Sequence, residues 1–228
     1  MTIPATHSEI EQIYLNIQTN GFHSVCVVGC QSEDGVTSIA SSLAERFVLA
    51  GYKTLYVDLN LFRPAYLSVH QFEQSDMIGE LLQRPQHGQV LLGLPAPTQT
   101  CASLVYRDPN GMRQQIAHWR DQYDRIVIDT SPLLNINKSN IPAQVVAGAC
   151  DATILVACFA QTTATQLLQA KQLLDASNTN LIGAVLNMKQ TPSLKDELIR
   201  QVNKLKVLPT GWKHKLKQQI LRSEWLTH

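Results

Sequence analysis

The chain has 228 residues, 44% of them hydrophobic and 16% charged, with a formal net charge of +1 at pH 7. This length and apolar content suffice for one α/β domain with a large core, and the near-neutral charge argues against nonspecific nucleic-acid binding. The longest apolar runs, such as residues 152–160, are far shorter than a membrane span, and five cysteines, an odd number with no signal peptide, indicate a reducing cytoplasm.

Strand-like apolar segments alternate along the chain with helix-like segments. After an opening helix at about residues 8–19, strands are predicted near Ser24, Thr54, Val90, Arg125, Ala152 and Leu181, and helices near Thr37, Asp76, Met112, Ile141, Thr162 and Ser193. This alternation predicts a three-layer α/β/α sandwich with a mainly parallel sheet. Residues 93–111 are the most loop-like stretch. With no internal repeat and no clear linker, we expect residues 1–228 to form a single domain.

Residues 24–38 have the order of a phosphate-binding loop. An apolar strand leads into a turn, then into Gly35-Val36-Thr37-Ser38, and then into a helix. This is the context in which a Gly-Lys-Ser/Thr sequence holds the phosphates of a nucleotide on a helix N-terminus. We therefore expect the sandwich to be of the P-loop NTPase-like class and these residues to contact a nucleotide, although Val36 stands where the lysine would reach the β- and γ-phosphates.

Polar residues follow three more predicted strands. Asp58 ends the second, Asp129 follows residues 125–128, and Asn187 ends the last. The carboxyl ends of parallel strands are where open α/β sheets bind ligands, so Thr37, Asp58 and Asp129 are candidate Mg²⁺ ligands. The alternative is that the two aspartates only cap turns or helices, that Thr37 is an ordinary first-turn residue and that Asn187 merely closes a strand.

Together these motifs resemble the bacterial tyrosine kinases of capsule and exopolysaccharide assembly, which are relatives of the ParA/MinD-type ATPases. Residues 32–38 resemble the family loop P-G-E-G-K-[ST]-[ST], residues 58–64 its D-x-D-L-R-x-P, and residues 123–132 its Y-D-x-[IV]-[IV]-[IV]-D-[TS]-P-P. Residues 183–187 match G-x-V-x-N, and the resemblance implies that Asn187 meets the base. Residues 75–82 are similar to the family's short helix after the second strand. The resemblance extends from about Gln12 to Asn187.

The departures from this family pattern concern charge. Val36 replaces the loop lysine, Glu33 a glycine, Asn60 the second aspartate and Phe62 an arginine. The opening helix lacks the family's ring-forming E-x-x-R-x-x-R, and the C-terminal segment lacks the tyrosines that the family phosphorylates. Such losses weaken Mg-ATP or ADP binding and oppose turnover. No catalytic residue is therefore assigned, unless the chain is active, in which case Asp58 and Asp129 are the candidates.

The segment from about residue 193 to 228 is basic. From Lys195 onward there are eight lysines and arginines against three acidic residues, with apolar residues such as Trp212 and Trp225 between them. We expect a helical tail that packs by its apolar residues or docks on an acidic partner. Contact with an anionic membrane surface is the alternative.

The resemblance and the departures from it together favour a function outside catalysis. The first hypothesis is a catalytically impaired kinase-like protein that regulates or scaffolds exopolysaccharide synthesis and export. It would be cytoplasmic, recruited to the inner face of the membrane by the cytoplasmic segment of a membrane-anchored chain-length (co-polymerase) protein, with a homodimer through the nucleotide face as a further option. The second hypothesis is an active ATP-dependent tyrosine kinase or ATPase in which Arg63 or Lys138 replaces the lysine. The third is a ParA/MinD-type positioning protein.

Overall fold

The fold is built on an eight-stranded sheet. The computed structural model describes residues 3–70, 78–85, 88–98, 100–135 and 140–188. The helices are α1 (Ser8–Asn20), α2 (Val36–Leu49), α3 (Thr100–Arg107), α4 (Pro109–Arg120), α5 (Ala143–Ala147) and α6 (Ala164–Ala176). The strands are β1 (Ser24–Gly29), β2 (Thr54–Leu59), β3 (Leu67–His70), β4 (Glu80–Gln83), β5 (Val90–Leu94), β6 (Arg125–Thr130), β7 (Ala152–Cys158) and β8 (Leu181–Asn187).

The strand order is β3-β4-β5-β2-β6-β1-β7-β8. The pairs from β5 to β8 are all parallel, whereas β3–β4 and β4–β5 are antiparallel. Strands β1, β2, β6 and β7 are buried along their whole length, as continuous apolar runs in a parallel sheet covered on both faces require. The prediction of a mainly parallel α/β/α sandwich is confirmed.

Two apolar clusters lie on opposite faces of the sheet. One includes Trp119 of α4 and Val146 of α5. The other is formed largely by α2, whose Ile39, Leu43 and Phe47 recur at helical spacing and are almost completely buried. Because α2 is pressed against the sheet in this way, its N-terminal residues are fixed above the carboxyl ends of the central strands.

Two local predictions were wrong. The short helix expected over residues 75–82 is replaced, in its described part, by β4, because Leu82 is buried against the α2 side of the sheet and pairs across from Leu91. The loop-like stretch 93–111 instead contains the end of β5, α3 and the start of α4, which Asp108 caps by accepting a hydrogen bond from the Gly111 N–H at 2.7 Å. The helix near Ser193 and the basic tail lie outside the described residues.

Candidate functional site

The loop between β1 and α2 lies at the carboxyl end of the sheet. Gly35 immediately precedes α2 with φ of +102°, a left-handed conformation that glycine adopts at little cost. A Cβ at this position would lie 2.1 Å from Nδ2 of Asn187, so the loop glycine is also required by space. The first N–H groups of α2 have no intrahelical acceptor and carry the positive end of the helix dipole. This is the arrangement that accepts an anion.

The position of the missing lysine is apolar. Val36 is the first residue of α2, is only 8% exposed and belongs to the apolar cluster beneath the helix. Residues 30–38 contain no lysine, arginine or histidine. A phosphate at this loop would therefore meet backbone N–H groups and hydroxyls but no positive side chain of the loop itself.

Two aspartates lie side by side at the strand ends. Asp58 of β2 is in register with Asp129 of β6, and both are fully buried. Oδ2 of Asp129 accepts hydrogen bonds from the hydroxyls of Thr37, at 2.6 Å, and Tyr56, at 3.0 Å. Burial and then the charge of Asp58 raise the pKa of Asp129, whereas these two hydroxyls and the positive charge of Arg84 lower it, and the resulting pKa is about 7. The site is therefore a low-dielectric pocket with excess negative charge.

The two carboxylates have different partners. Asp58 accepts the backbone N–H groups of Asn60, at 2.9 Å, and Ala65, at 3.1 Å, so it orders the turn after β2. A metal-binding role for Asp58 stays a prediction. Burial raises the pKa of Asp58 to about 6, and these N–H groups oppose that rise. Asp129 differs, because its Oδ1 is buried and has no hydrogen-bond partner among the described residues.

This buried Oδ1 of Asp129 allows a test of whether the residues of the site fit a magnesium ion. A cation bound by Oδ1 of Asp129 and the nearby hydroxyl of Thr37 would satisfy the oxygen and offset the charge of the pair. The described residues contain no cluster of three or more His, Cys, Asp or Glu side chains placed to hold a metal. Mg²⁺ keeps several waters and takes few protein ligands, so these donors fit it, with Asp129 and Thr37 the better placed ligands.

Charges at the mouth of the loop are paired with each other. Glu33 has a positive φ of 73°, and its Oε1 lies 2.5 Å from Nη1 of Arg63. The proposed substitute cation Arg63 is thus held by the glutamate that replaced a family glycine. Lys138, the other candidate, is outside the described residues. Arg84, which follows β4, was not singled out from sequence. Its Nη1 is buried and has no hydrogen-bond partner in the described ranges.

A second set of residues holds the loop from the side. The carboxylate of Asp34 is 2% exposed and accepts hydrogen bonds from the Gln31 N–H, at 2.8 Å, and the Thr162 hydroxyl, at 3.1 Å. The Asn187 amide Nδ2 donates to the Asp34 carbonyl at 2.8 Å. Asn187 was predicted from the family resemblance to meet a base, and the structure places its amide against the loop. Asp34 and Thr162 were not singled out from sequence.

The parallel sheet, the loop before α2 and the two aspartates at the strand ends together define an α/β fold of the P-loop type, with the architecture of a nucleotide-binding site. In sequence, the chain is 29% identical over 188 residues to the tyrosine-protein kinase CpsD of Streptococcus pneumoniae serotype 4, covering 75% of this chain and 79% of that one. It is 27% identical over 179 residues to the tyrosine-protein kinase etk of Escherichia coli K12, covering 71% of this chain. No protein-family model matches the chain.

Solved structures agree on the fold. The kinase domain of the Escherichia coli tyrosine kinase ETK superposes with a TM-score of 0.60 at 23% identity, over 84% of this chain and 83% of that one. A cobyrinic acid a,c-diamide synthase from Mycobacterium smegmatis, with bound ATP analog and magnesium, does so at 0.54 and 16% identity, over 82% of each chain. The resemblance to bacterial tyrosine kinases with a P-loop fold is thereby confirmed.

The match to etk covers 23% of that protein's length, so much of that kinase has no counterpart in the aligned segment. Within the described residues, no helix combines the length and hydropathy needed to traverse a bilayer.

Proposed function

We propose that this chain is a nucleotide-binding relative of the bacterial tyrosine kinases in which phosphoryl transfer is impaired, and that it regulates or scaffolds exopolysaccharide synthesis and export. The observation that carries the proposal is the buried Val36 at the first position of α2. Loss of one charge aimed at the transferred phosphate typically costs about 10²–10³ in rate. Glu33 adds a negative charge to the same loop, which opposes binding of a triphosphate.

The remaining residues still support weak binding of Mg-ATP or ADP. Thr37 and Asp129 would hold Mg²⁺, which supplies neutralisation of phosphate oxygens when bound. The first N–H groups of α2 would face the phosphates, as helix N-termini do. Asn60, where the resembled family has an aspartate, cannot take a proton from an attacking hydroxyl as a carboxylate can. The residues of the chain thus favour binding of a nucleotide over transfer of its phosphoryl group.

The partner we propose is the cytoplasmic segment of a membrane-anchored polysaccharide chain-length protein, which would bring the chain to the inner face of the membrane. This rests on the resemblance to the kinases of capsule assembly. We further propose that residues 1–228 form one domain and that the basic tail, about 193–228, makes the docking contact. A homodimer through the nucleotide face and tail contact with lipid remain further proposals.

Calorimetric titration with ATP and ADP in the presence of Mg²⁺, joined to assays of ATP hydrolysis and autophosphorylation, tests the proposal. We expect measurable binding, no more than trace turnover, and loss of Mg²⁺-dependent binding in Asp129→Ala. Robust hydrolysis that Asp129→Ala abolishes would overturn the impaired-kinase proposal. A pull-down with the cytoplasmic segment of the chain-length protein, with and without residues 193–228, tests the partner separately.

An active kinase is the second candidate, and Arg84 is the observation that favours it. Its guanidinium carries a buried nitrogen with no hydrogen-bond partner in the described ranges, and its charge acts on Asp129. A cation so placed could compensate for the missing lysine. If turnover is found, Arg84→Gln should abolish it, whereas Arg63→Gln, which breaks only the exposed pair with Glu33, should leave most of it.

A further inference from the structure

Asp34, Thr162 and Asn187 together hold the phosphate loop against the neighbouring strands, and we refer to these residues as the loop clasp. Thr162 lies in the turn after β7, where its hydroxyl accepts the Cys158 N–H at 3.0 Å and donates to Oδ1 of Asp34 at 3.1 Å. The second carboxylate oxygen of Asp34 accepts the Gln31 N–H within the loop. The clasp therefore connects the loop to the end of β7 through one buried side chain.

Asn187 closes the clasp from β8. Its backbone carbonyl accepts the Phe159 N–H at 2.9 Å, which fixes the end of the strand beside β7. Its Nδ2 donates to the Asp34 carbonyl and lies 2.1 Å from the position that a Cβ on Gly35 would take. An amide pressed this closely over the loop glycine constrains the backbone from which the phosphate-facing N–H groups of α2 start.

We propose that the loop clasp positions the phosphate loop, and that Asn187 serves the loop rather than selecting the base of the nucleotide. This inference rests on the proposed function, because it concerns the same nucleotide site. In the absence of a loop lysine, backbone N–H groups supply most of the attraction for phosphate, so their orientation decides affinity. Asn187 is therefore a positioning residue, and its loss weakens binding of the phosphates rather than recognition of the base.

The test uses a ligand that has no base. The full-length chain and its Asn187→Ala variant are titrated with Mg-pyrophosphate, Mg-ATP and Mg-GTP. The matched control is Asn180→Ala, because the Asn180 amide also donates to a backbone carbonyl, that of Asp151, but at the opposite end of β8. We expect Asn187→Ala to weaken all three ligands by the same factor, about three- to tenfold for one buried hydrogen bond, with no change in the control. A loss confined to the nucleotides, or different for ATP and GTP, would overturn the proposal.

Hydrogen exchange of the unliganded protein tests the clasp independently of any ligand. Thr162→Val and Asn187→Ala should each accelerate exchange at residues 31–37, and Asn180→Ala should not. Unchanged exchange in both clasp variants would overturn the loop clasp itself. If the wild-type chain binds none of the three ligands, the proposed nucleotide binding fails instead.

Discussion

Replacing Asp129 by asparagine should stabilise the protein above neutral pH. Asp129 is fully buried beside Asp58, and its pKa is raised to about 7 by burial first and then by that second carboxylate. The Thr37 and Tyr56 hydroxyls donate to one oxygen, a role that the asparagine carbonyl can take over. The substitution therefore removes a costly charge and keeps the hydrogen bonds.

The sign and size follow from proton linkage. The ordinary pKa of this carboxyl is 3.8, and in the folded chain it is about 7, so the folded state binds more protons between these values. The contribution of the group to stability is fully present below pH 3.8 and is lost as the pH rises through 7. At 1.36 kcal/mol per pH unit the loss amounts to ~4 kcal/mol at most. We expect Asp129→Asn to exceed the wild type by about 2–4 kcal/mol at pH 8 and to match it near pH 4.

Urea denaturation in EDTA across this pH range measures the difference. Asp124→Asn is the matched control, because Asp124 precedes the amino end of the same strand, β6, and accepts the Lys53 N–H at 2.9 Å. A variant Asp129→Asn that is less stable than the wild type by the same amount at pH 5 and pH 8 would refute the reasoning. Saturating Mg²⁺ should stabilise the wild type at pH 8 and leave the variant unchanged.

Three further predictions concern the loop. Val36→Lys should cost about 1–3 kcal/mol in chemical denaturation, because it buries a charge in an apolar cluster, and Val36→Met controls for the size of the side chain. The same lysine variant should yield no phosphotyrosine in ATP labelling, and strong autophosphorylation would contradict the account. Gly35→Ala should destabilise far more than Gly51→Ala, because both have positive φ but only Gly35 has an atom in the way; equal denaturation midpoints would count against it. Glu33→Gln and Glu33→Gly should each raise ATP affinity in calorimetry, because each removes a negative charge from the loop and releases Arg63. Unchanged affinity in both would exclude repulsion by Glu33.

The parallel part of the fold could be predicted from the sequence because the buried strands are continuous apolar runs, and two of them, β2 and β6, carry an aspartate near the carboxyl end. That pattern placed Asp58 and Asp129 at the same edge, and the structure brings them into register. Whether they bind a metal stays a prediction. The antiparallel strands β3 and β4 were not accessible, because four-residue strands leave too short a pattern to distinguish from a helix turn.

The loop clasp could not be predicted for a different reason. Asp34 and Thr162 are 128 residues apart, and neither has a charge partner or spacing that marks it in the sequence. Their contact depends on β1 and β7 being neighbours, which only the strand order specifies. Asn187 was found by its place after a strand, but the direction of its amide was not. Sequence patterns locate side chains at an edge, whereas their partners depend on tertiary packing.

The phosphate loop is held by hydrogen bonds but contains no positively charged side chain, and the proposed function connects these two features. Hydrogen bonds to the Asp34 carboxylate and carbonyl, and the closeness of Asn187 to Gly35, maintain a backbone suited to an anion. The buried Val36 supplies no charge, and Arg63 is paired with Glu33, so under the proposed function the loop offers a triphosphate little positive potential. Burying the Asp34 carboxylate is unfavourable unless its oxygens are hydrogen-bonded, and both are, one by the Gln31 N–H and the other by the Thr162 hydroxyl. The combination is expected of a site in which the presence of a ligand matters more than its turnover.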